Sequence, residues 1–229
     1  MNYSENIAII GGGNWGTAIA KKIGNNLISS NSTTGKSEGL VMWLYEELVN
    51  GRSLTETIND THENIKYLPG IFLPPNVRAT SDLKECVSNR KIFLFVIPHQ
   101  FLRNVIVQMM GLVPSDAICV SLMKGIEATV DHRLKRFTTI IEEELGIKNC
   151  AAIMGANVAN DVAHDHFAEA TIGCLDLEAG KVVAELLECD SFRTEITDDV
   201  STVEWCGALK NVYAVGAGKN FSVRTHQDF

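Results

Sequence analysis

A glycine-rich turn near the start of the chain constrains the fold more than any other feature. It consists of Gly11, Gly12, Gly13, Asn14, Trp15 and Gly16, and so has the spacing G-x-G-x-x-G. The turn follows the apolar run 7–10 and precedes residues 17–22, which have helical character. In this context the glycines allow a tight turn and a close approach to a pyrophosphate, which the helix N-terminus attracts. The sequence therefore predicts a dinucleotide-binding unit, with a tight turn that binds no ligand as the alternative.

Strand-like and helix-like segments alternate along the chain. The strand candidates are residues 7–10, 40–44, 91–97, 117–122, 151–154, 169–175 and 192–197. This alternation predicts an α/β fold, a doubly wound and mostly parallel sheet with helices on both faces. The remaining pattern predicts a loop over 24–39, helices over 129–145, 179–187 and 200–218, and a polar tail over 219–229.

The composition limits the classes of partner. The chain has 229 residues, 45% of them hydrophobic, which suffices for one core or one core and part of a second. Its net charge of −8 argues against nucleic acid or an anionic membrane as a partner. The six cysteines form no C-x-x-C pair, so they are expected to be reduced in an intracellular protein. We expect neither a signal peptide nor a membrane span.

Several side chains follow the predicted strands, where ligands of parallel sheets bind. Glu46 could bind a ribose 2′-hydroxyl and would repel a 2′-phosphate, which favours NAD over NADP. Alternatively, Glu46 could simply lie at the solvated start of a helix, together with Glu47. Tyr45 could lie against an adenine, and Phe101 could form a wall of the cofactor site.

Two lysines and one asparagine are candidates for chemistry. Lys210 is the one charged residue between Trp205 and Gly218, on a stripe of small residues, and burial would lower its pKa and suit it to acid–base work. A lysine that extends past small residues to water is an equal alternative. Lys124 could point an ammonium into the crevice or be solvated, and Asn157 could orient a ligand or cap a helix.

Six motifs, taken together, resemble the cytosolic NAD-dependent glycerol-3-phosphate dehydrogenases. They are GGGNWGTAIAK (11–21), HENIKYLPGIFLPPNV (62–77), FVIPHQF (95–101), SLMKGIEA (121–128), MGANVANDVA (154–163) and CGALKNVYAVGAG (206–218). They occur in family order and cover residues 6–218 almost continuously. The resemblance implies reversible hydride transfer between NADH and dihydroxyacetone phosphate, which gives sn-glycerol 3-phosphate.

The resemblance also implies roles for individual residues. Residues 11–16 would bind the pyrophosphate of NAD, and Tyr45, Phe101 and Ala159 would line the same site. Lys124 matches the family's substrate-binding lysine, Lys210 its catalytic and substrate-contacting lysine, and Asn157 an active-site asparagine.

The resemblance further implies a division of the chain. Residues 1–198 would form the NAD-binding domain, 199–218 the first helix of an all-helical substrate domain, and 219–229 a divergent tail. In the family that second domain supplies an aspartate, a threonine and a phosphate-binding arginine, so we expect a truncated form with weak or absent catalysis. The alternative is a non-catalytic NAD-binding module or a truncated isoform that associates with other subunits. Family members are cytoplasmic homodimers, and we expect the same compartment here.

Overall fold

The computed structural model describes residues 7–31, 39–129 and 132–225. For residues 31 and 219–225 it describes only the backbone. The helices are α1 (Asn14–Asn31), α2 (Leu54–Thr61), α3 (Leu83–Val87), α4 (Leu102–Met109), α5 (Phe137–Leu145), α6 (Ala159–Ala163), α7 (Leu177–Leu187) and α8 (Val200–Thr225). The strands are β1 (Ile7–Ile10), β2 (Leu40–Trp43), β3 (Leu48–Val49), β4 (Arg52–Ser53), β5 (Val77–Thr80), β6 (Ile92–Phe95), β7 (Ile118–Ser121), β8 (Glu127–Ala128), β9 (Leu134–Lys135), β10 (Cys150–Met154), β11 (Ala168–Gly173) and β12 (Phe192–Thr197). A 3₁₀ turn spans His99–Phe101.

One eight-stranded sheet organises the molecule. Its strand order is β12-β11-β10-β7-β6-β1-β2-β5. The six strands from β10 to β5 are parallel, with Ile7 in register with Leu40 on one side and Ile92 on the other. Their order corresponds to the 6-5-4-1-2-3 arrangement of a Rossmann sheet. This confirms the predicted fold class, to which β11 adds an antiparallel step beside β10, with β12 parallel to β11.

Helices cover both faces of the sheet, as predicted. One apolar cluster joins the sheet to α1, α2, α6 and α7, and a second joins the opposite face to α3, α4 and α5. All four residues of β6 are buried, because this central strand is covered on both faces. The final helix α8 packs on β10 and β11 through Val200 and Val203, which contact Ala152 and Met154.

The predicted helix over 129–145 is wrong in its first half. β8 and β9 form a small antiparallel ribbon instead, and α5 begins only at Phe137. Leu134, which the periodicity placed on the apolar helix face, is 60% exposed. Residues 130–131 lie outside the described residues. The start of α5 is fixed by the carboxylate of Glu204 on α8, which accepts from the backbone N–H of Phe137. Local periodicity cannot predict this contact, because its partners are far apart in the sequence.

Two further boundaries differ from the predictions. α1 continues to Asn31, so the predicted loop over 24–39 is helical over residues 24–31, and residues 32–38 lie outside the described residues. α8 continues past residue 218 to Thr225, through most of the predicted tail. Neither segment contains proline, and each glycine costs a helix only about 1 kcal/mol, which neighbouring turns can offset. Residues 226–229 lie outside the described part. None of the described helices is both long and apolar enough to cross a membrane.

Candidate active site

The strand order reverses between β1 and β6. At such a reversal in a doubly wound sheet, the loops that follow the two strands leave a crevice at the carboxyl edge, where ligands bind. The glycine turn follows β1, and the 3₁₀ turn His99–Phe101 lies beyond β6. Gly11 has a φ of +124°, and a Cβ there would lie 2.5 Å from the carbonyl oxygen of Val96. Only glycine therefore fits where the two loops touch.

The glycine turn packs closely against α1 at one glycine and is open at another. A Cβ on Gly16 would lie 1.9 Å from the carbonyl oxygen of Gly11, so the start of α1 sits directly against the turn. A Cβ on Gly13, by contrast, would meet no atom of the described chain within 4 Å. The open side of Gly13 leaves room beside the N-terminus of α1, which begins at Asn14 and continues with the half-buried Trp15. Backbone N–H groups at such a terminus attract anions.

Three other predicted cofactor residues lie at the same edge of the sheet. Tyr45 follows β2 and is 79% exposed, and Phe101 follows β6 and is 51% exposed. Ala159 is the first residue of α6, the helix that follows β10. Large aromatic side chains exposed at the mouth of a crevice are typical of ligand-lining residues.

The two predicted lysines meet beside this crevice. Lys124 follows β7 and precedes Gly125, whose φ of +121° turns the chain sharply. Lys210 lies on α8, and its Nζ donates a 2.6 Å hydrogen bond to the carbonyl oxygen of Gly155. Partial burial, followed by the nearby charge of Lys124, lowers the pKa of Lys210. The structure therefore brings together two ammonium groups that lie 86 positions apart in the sequence.

Asn157 lies on the same loop as Gly155. Its Nδ2 donates a 2.8 Å hydrogen bond to the carbonyl oxygen of Glu169 in β11. The N-cap of α6 is Val158, so the helix-cap alternative for Asn157 does not apply. The amide therefore fixes the loop after β10, where Gly155 accepts from Lys210.

A cleft of about 430 Å³ opens beside Lys210, between α8 and the ends of β10, β11 and β12. Its walls include Met154, Thr171, Thr197 and Cys206. The cleft places Lys210 at a surface that a small molecule or another protein segment could reach.

The sequence profile described as the NAD-dependent glycerol-3-phosphate dehydrogenase N-terminus matches residues 6–180 of this chain. The chain belongs to this family. The match spans the glycine turn, both loops of the crevice and Lys124, which are the parts of the site built by the sheet.

Relatives and solved structures agree with the assignment. The chain is 47% identical over 218 residues to the cytoplasmic NAD(+) glycerol-3-phosphate dehydrogenase of Drosophila melanogaster, covering 95% of this chain and 59% of that protein. It is 48% identical over 214 residues to the human glycerol-3-phosphate dehydrogenase 1-like protein, covering 93% and 59%. The glycerol-3-phosphate dehydrogenase structure from Saccharomyces cerevisiae has a TM-score of 0.84 at 40% identity, covering 93% and 62%. The chain thus spans about three fifths of the length of these family members.

Glu46 has a structural role that the sequence did not suggest. Its carboxylate accepts from the backbone N–H groups of Leu54 and Thr55, at 3.0 and 3.3 Å, and from the hydroxyls of Ser53 and Thr55. Burial opposes ionisation, but these hydrogen bonds together lower the pKa of Glu46. Glu46 therefore caps the N-terminus of α2 from outside the helix. This arrangement is a cap and not the solvated helix start, the ribose contact stays a prediction, and the cofactor assignment rests on the family.

Glu204 is a buried group that the sequence reasoning missed. It lies on α8, six residues before Lys210, and its carboxylate accepts from the backbone N–H groups of Phe137 and Thr138 and from the Thr138 hydroxyl, at 2.7, 3.2 and 2.6 Å. Burial raises the pKa of Glu204. The ring of Phe137 in turn stacks on His99, with ring centroids 5.7 Å apart. Glu204 thus connects α8, which carries Lys210, to a loop of the crevice. The sequence signal that could have identified this buried contact was an acidic residue on an otherwise apolar helix face.

Proposed function

We propose that this chain binds NAD(H) in the crevice between the loops after β1 and β6. We further propose that it acts in the reversible conversion of dihydroxyacetone phosphate and NADH to sn-glycerol 3-phosphate and NAD. The observation that carries the proposal is the meeting of Lys210 with Lys124 at the edge of the sheet that also holds the glycine turn.

The cofactor site is assigned to the sheet domain. The N–H of Gly11 donates to the carbonyl oxygen of Trp43 at 2.9 Å, and that of Trp15 to Oδ1 of Asn14 at 2.7 Å. The other backbone N–H groups within residues 11–16 would hold the pyrophosphate, because the turn is open at Gly13 and lies at the start of α1. Tyr45, Phe101 and Ala159 would line the adjoining walls. When bound, NAD(H) supplies the chemistry of hydride transfer.

Lys210 is assigned the proton transfer. In the reductive direction its ammonium donates a proton to the carbonyl oxygen of the substrate, and in the oxidative direction the neutral amine takes the proton back. Burial and the charge of Lys124 both favour the neutral amine, which makes donation easier. Lys124 holds the anionic substrate, and Asn157 orients it. The two lysines also provide local positive charge in a chain of net charge −8.

The domain division is proposed as the sequence suggested. Residues 1–198 form the NAD-binding domain, residues 199–218 belong to a substrate domain, and residues 219–229 diverge from the family. Because the resemblance places three substrate-binding groups in the rest of the substrate domain, we expect a polypeptide of residues 1–229 to bind NADH but to turn over about a thousandfold more slowly than a whole family member.

A non-catalytic NAD-binding or subunit-associating module is the second candidate. It is favoured by α8, whose Val212, Tyr213 and Val215 are 69%, 73% and 63% exposed. A homodimer is proposed on the same ground, and light scattering of the purified chain tests it. A cytoplasmic location is proposed from the names of the relatives, and imaging of a tagged chain tests it.

Two assays on the purified chain separate the candidates. Titration with NADH, followed by fluorescence, tests cofactor binding, and NADH oxidation with dihydroxyacetone phosphate tests catalysis. Binding without turnover favours the module, and failure to bind NADH removes the proposed function altogether.

Substitutions then test the lysines. Lys210→Ala should lower residual turnover by about a hundredfold or more and change the Kd for NADH less than twofold. Lys181→Ala, on the exposed side of α7, is the control and should change neither. Lys124→Met should move the alkaline limb of the kcat/KM profile for ketone reduction to higher pH, because Lys124 lowers the pKa of Lys210. An unshifted limb would mean that Lys210 is not the proton donor.

A further inference from the structure

Asn64 lies beneath the glycine turn and is completely buried. It follows α2 in the segment that leads to β5. Its Nδ2 donates to the carbonyl oxygen of Gly12 and to the hydroxyl oxygen of Thr17, both at 2.9 Å, and its Oδ1 accepts from the backbone N–H of Tyr67 at 3.2 Å. Both amide hydrogens and the amide oxygen of this side chain are therefore satisfied.

Thr17 extends the network to the next peptide of the turn. It is also completely buried, and its hydroxyl donates to the carbonyl oxygen of Gly13 at 2.8 Å. The helix already fixes that carbonyl, which accepts from the backbone N–H of Thr17 at 2.9 Å. The Gly12 carbonyl lies before the helix, and Asn64 provides its shortest side-chain hydrogen bond, against 3.4 Å from the Thr17 hydroxyl.

The orientation of one peptide unit decides where its N–H group points. In a trans peptide the N–H points opposite to the carbonyl of the same unit. Asn64 holds the Gly12 carbonyl toward the interior, so the N–H of Gly13 points the opposite way, away from Asn64. A Cβ at Gly13 would also meet no described atom within 4 Å, so this part of the turn is uncrowded. Because glycines flank this peptide on both sides, side-chain sterics hardly restrain its rotation, and a hydrogen bond has to select one orientation.

We propose that Asn64 is a positioning residue for cofactor binding. It pre-orients the peptide between Gly12 and Gly13 so that the N–H of Gly13 is available to a dinucleotide pyrophosphate. This inference rests on the proposed function, since it presupposes that NAD(H) binds at the turn. Asn64 itself lies behind the turn and acts through the backbone, while Thr17 supports it.

The test compares ligands that do and do not contain a pyrophosphate. The Kd values of NADH, ADP-ribose and adenosine are measured on the full chain, with ADP-ribose and adenosine as competitors of NADH fluorescence. Asn64→Ala should raise the Kd values of NADH and ADP-ribose about tenfold or more, equivalent to about 1.4 kcal/mol. It should change the Kd of adenosine less than twofold. A merely structural role would weaken all three ligands alike.

Asn59 provides a matched control. Its side chain also binds buried backbone, accepting from the N–H of Ala79 at 2.8 Å and donating to the carbonyl of the same residue at 2.9 Å, but in β5 and away from the turn. Asn59→Ala should therefore lower the Tm while leaving the Kd values of NADH and ADP-ribose within twofold of those of the unsubstituted chain.

The outcomes separate this inference from the proposed function. If the unsubstituted chain does not bind NADH, the proposed function fails and the inference fails with it. Suppose that the unsubstituted chain binds NADH and that the Asn64→Ala chain folds. If its Kd for ADP-ribose stays within twofold of that of the unsubstituted chain, or its Kd for adenosine rises as much as that for ADP-ribose, only the inference is overturned. Should Asn64→Ala not fold, Thr17→Val replaces it. We expect Thr17→Val to weaken ADP-ribose at least threefold and Thr17→Ser to restore it, and unchanged binding by Thr17→Val overturns the inference.

Discussion

Glu204→Ala should destabilise the protein by about 3 kcal/mol. The Glu204 carboxylate is the acceptor for two backbone N–H groups at the start of α5 and for the Thr138 hydroxyl, and it is fully buried. Alanine removes the acceptor and leaves those three donors beneath α8.

The magnitude follows from the geometry. Each buried donor that loses its partner costs about 1–3 kcal/mol. Three such donors set a lower value of about 3 kcal/mol. We take this lower value because alanine also removes a carboxylate whose own burial is unfavourable, as the raised pKa of Glu204 indicates.

Urea unfolding at neutral pH, followed by circular dichroism, measures the loss. The matched control is Asp176→Ala, because Asp176 likewise accepts from two backbone N–H groups, those of Glu178 and Ala179, but in an exposed cap of α7. Water can take the place of that carboxylate as acceptor, so Asp176→Ala should lower the free energy of unfolding by only about 1 kcal/mol. If Glu204→Ala lowers the free energy of unfolding by less than about 1 kcal/mol, the reasoning is refuted.

The pH dependence gives an independent check. Because the folded state raises the pKa of Glu204 above its model-compound value of 4.5, the folded protein binds more protons than the unfolded chain in that window. The contribution of Glu204 is therefore most favourable below pH 4.5 and declines as pH rises through the raised folded pKa. Glu204→Gln should lack this decline, so its stability relative to the unsubstituted protein should increase with pH over the window. A constant difference would contradict the assignment.

Two further predictions concern α8 and the thiols. A Cβ on Gly207 would lie 2.3 Å from Sδ of Met154, so Gly207→Ala should push α8 away from β10 and cost about 1–3 kcal/mol in denaturant unfolding. Gly216→Ala, where a Cβ meets no described atom within 4 Å, should be neutral or stabilising by up to about 1 kcal/mol, and equal losses at both sites would contradict the close packing. Cys206 is exposed and should react with a thiol reagent well before Cys86, whose pKa burial raises to about 12, and peptide mapping that finds the reverse order would be inconsistent with the structure.

Local sequence predicted the sheet better than the helices. Each predicted strand overlaps an observed one, with ends that differ by at most two residues, as for residues 91–97 against Ile92–Phe95, whereas β5 was not predicted. Buried strands are short and continuously apolar, so their composition identifies them. The helix over 129–145 failed because apolar spacing continued through a ribbon whose Leu134 faces solvent.

The positions of candidate site residues could be predicted where one short segment contains the whole feature. The glycine turn, the exposed Tyr45 and Phe101, and Lys124 before Gly125 each follow a strand, so their place at one edge follows from the parallel sheet. The capping role of Glu46 was not predicted, because its partners at the end of β4 and the start of α2 are seven to nine positions away and depend on how the chain returns after β3.

The sequence by itself determined the glycine turn, the alternation that builds a doubly wound sheet, and the family. These depend on residues that lie next to one another in the chain, where steric rules and apolar spacing act directly. The tertiary structure alone decided which groups fix that turn and which group anchors α8, the helix that carries Lys210. Asn64 reaches Gly12 across 52 positions, and Glu204 reaches Phe137 across 67. Such hydrogen bonds form only after folding has buried both partners, so no local pattern records them.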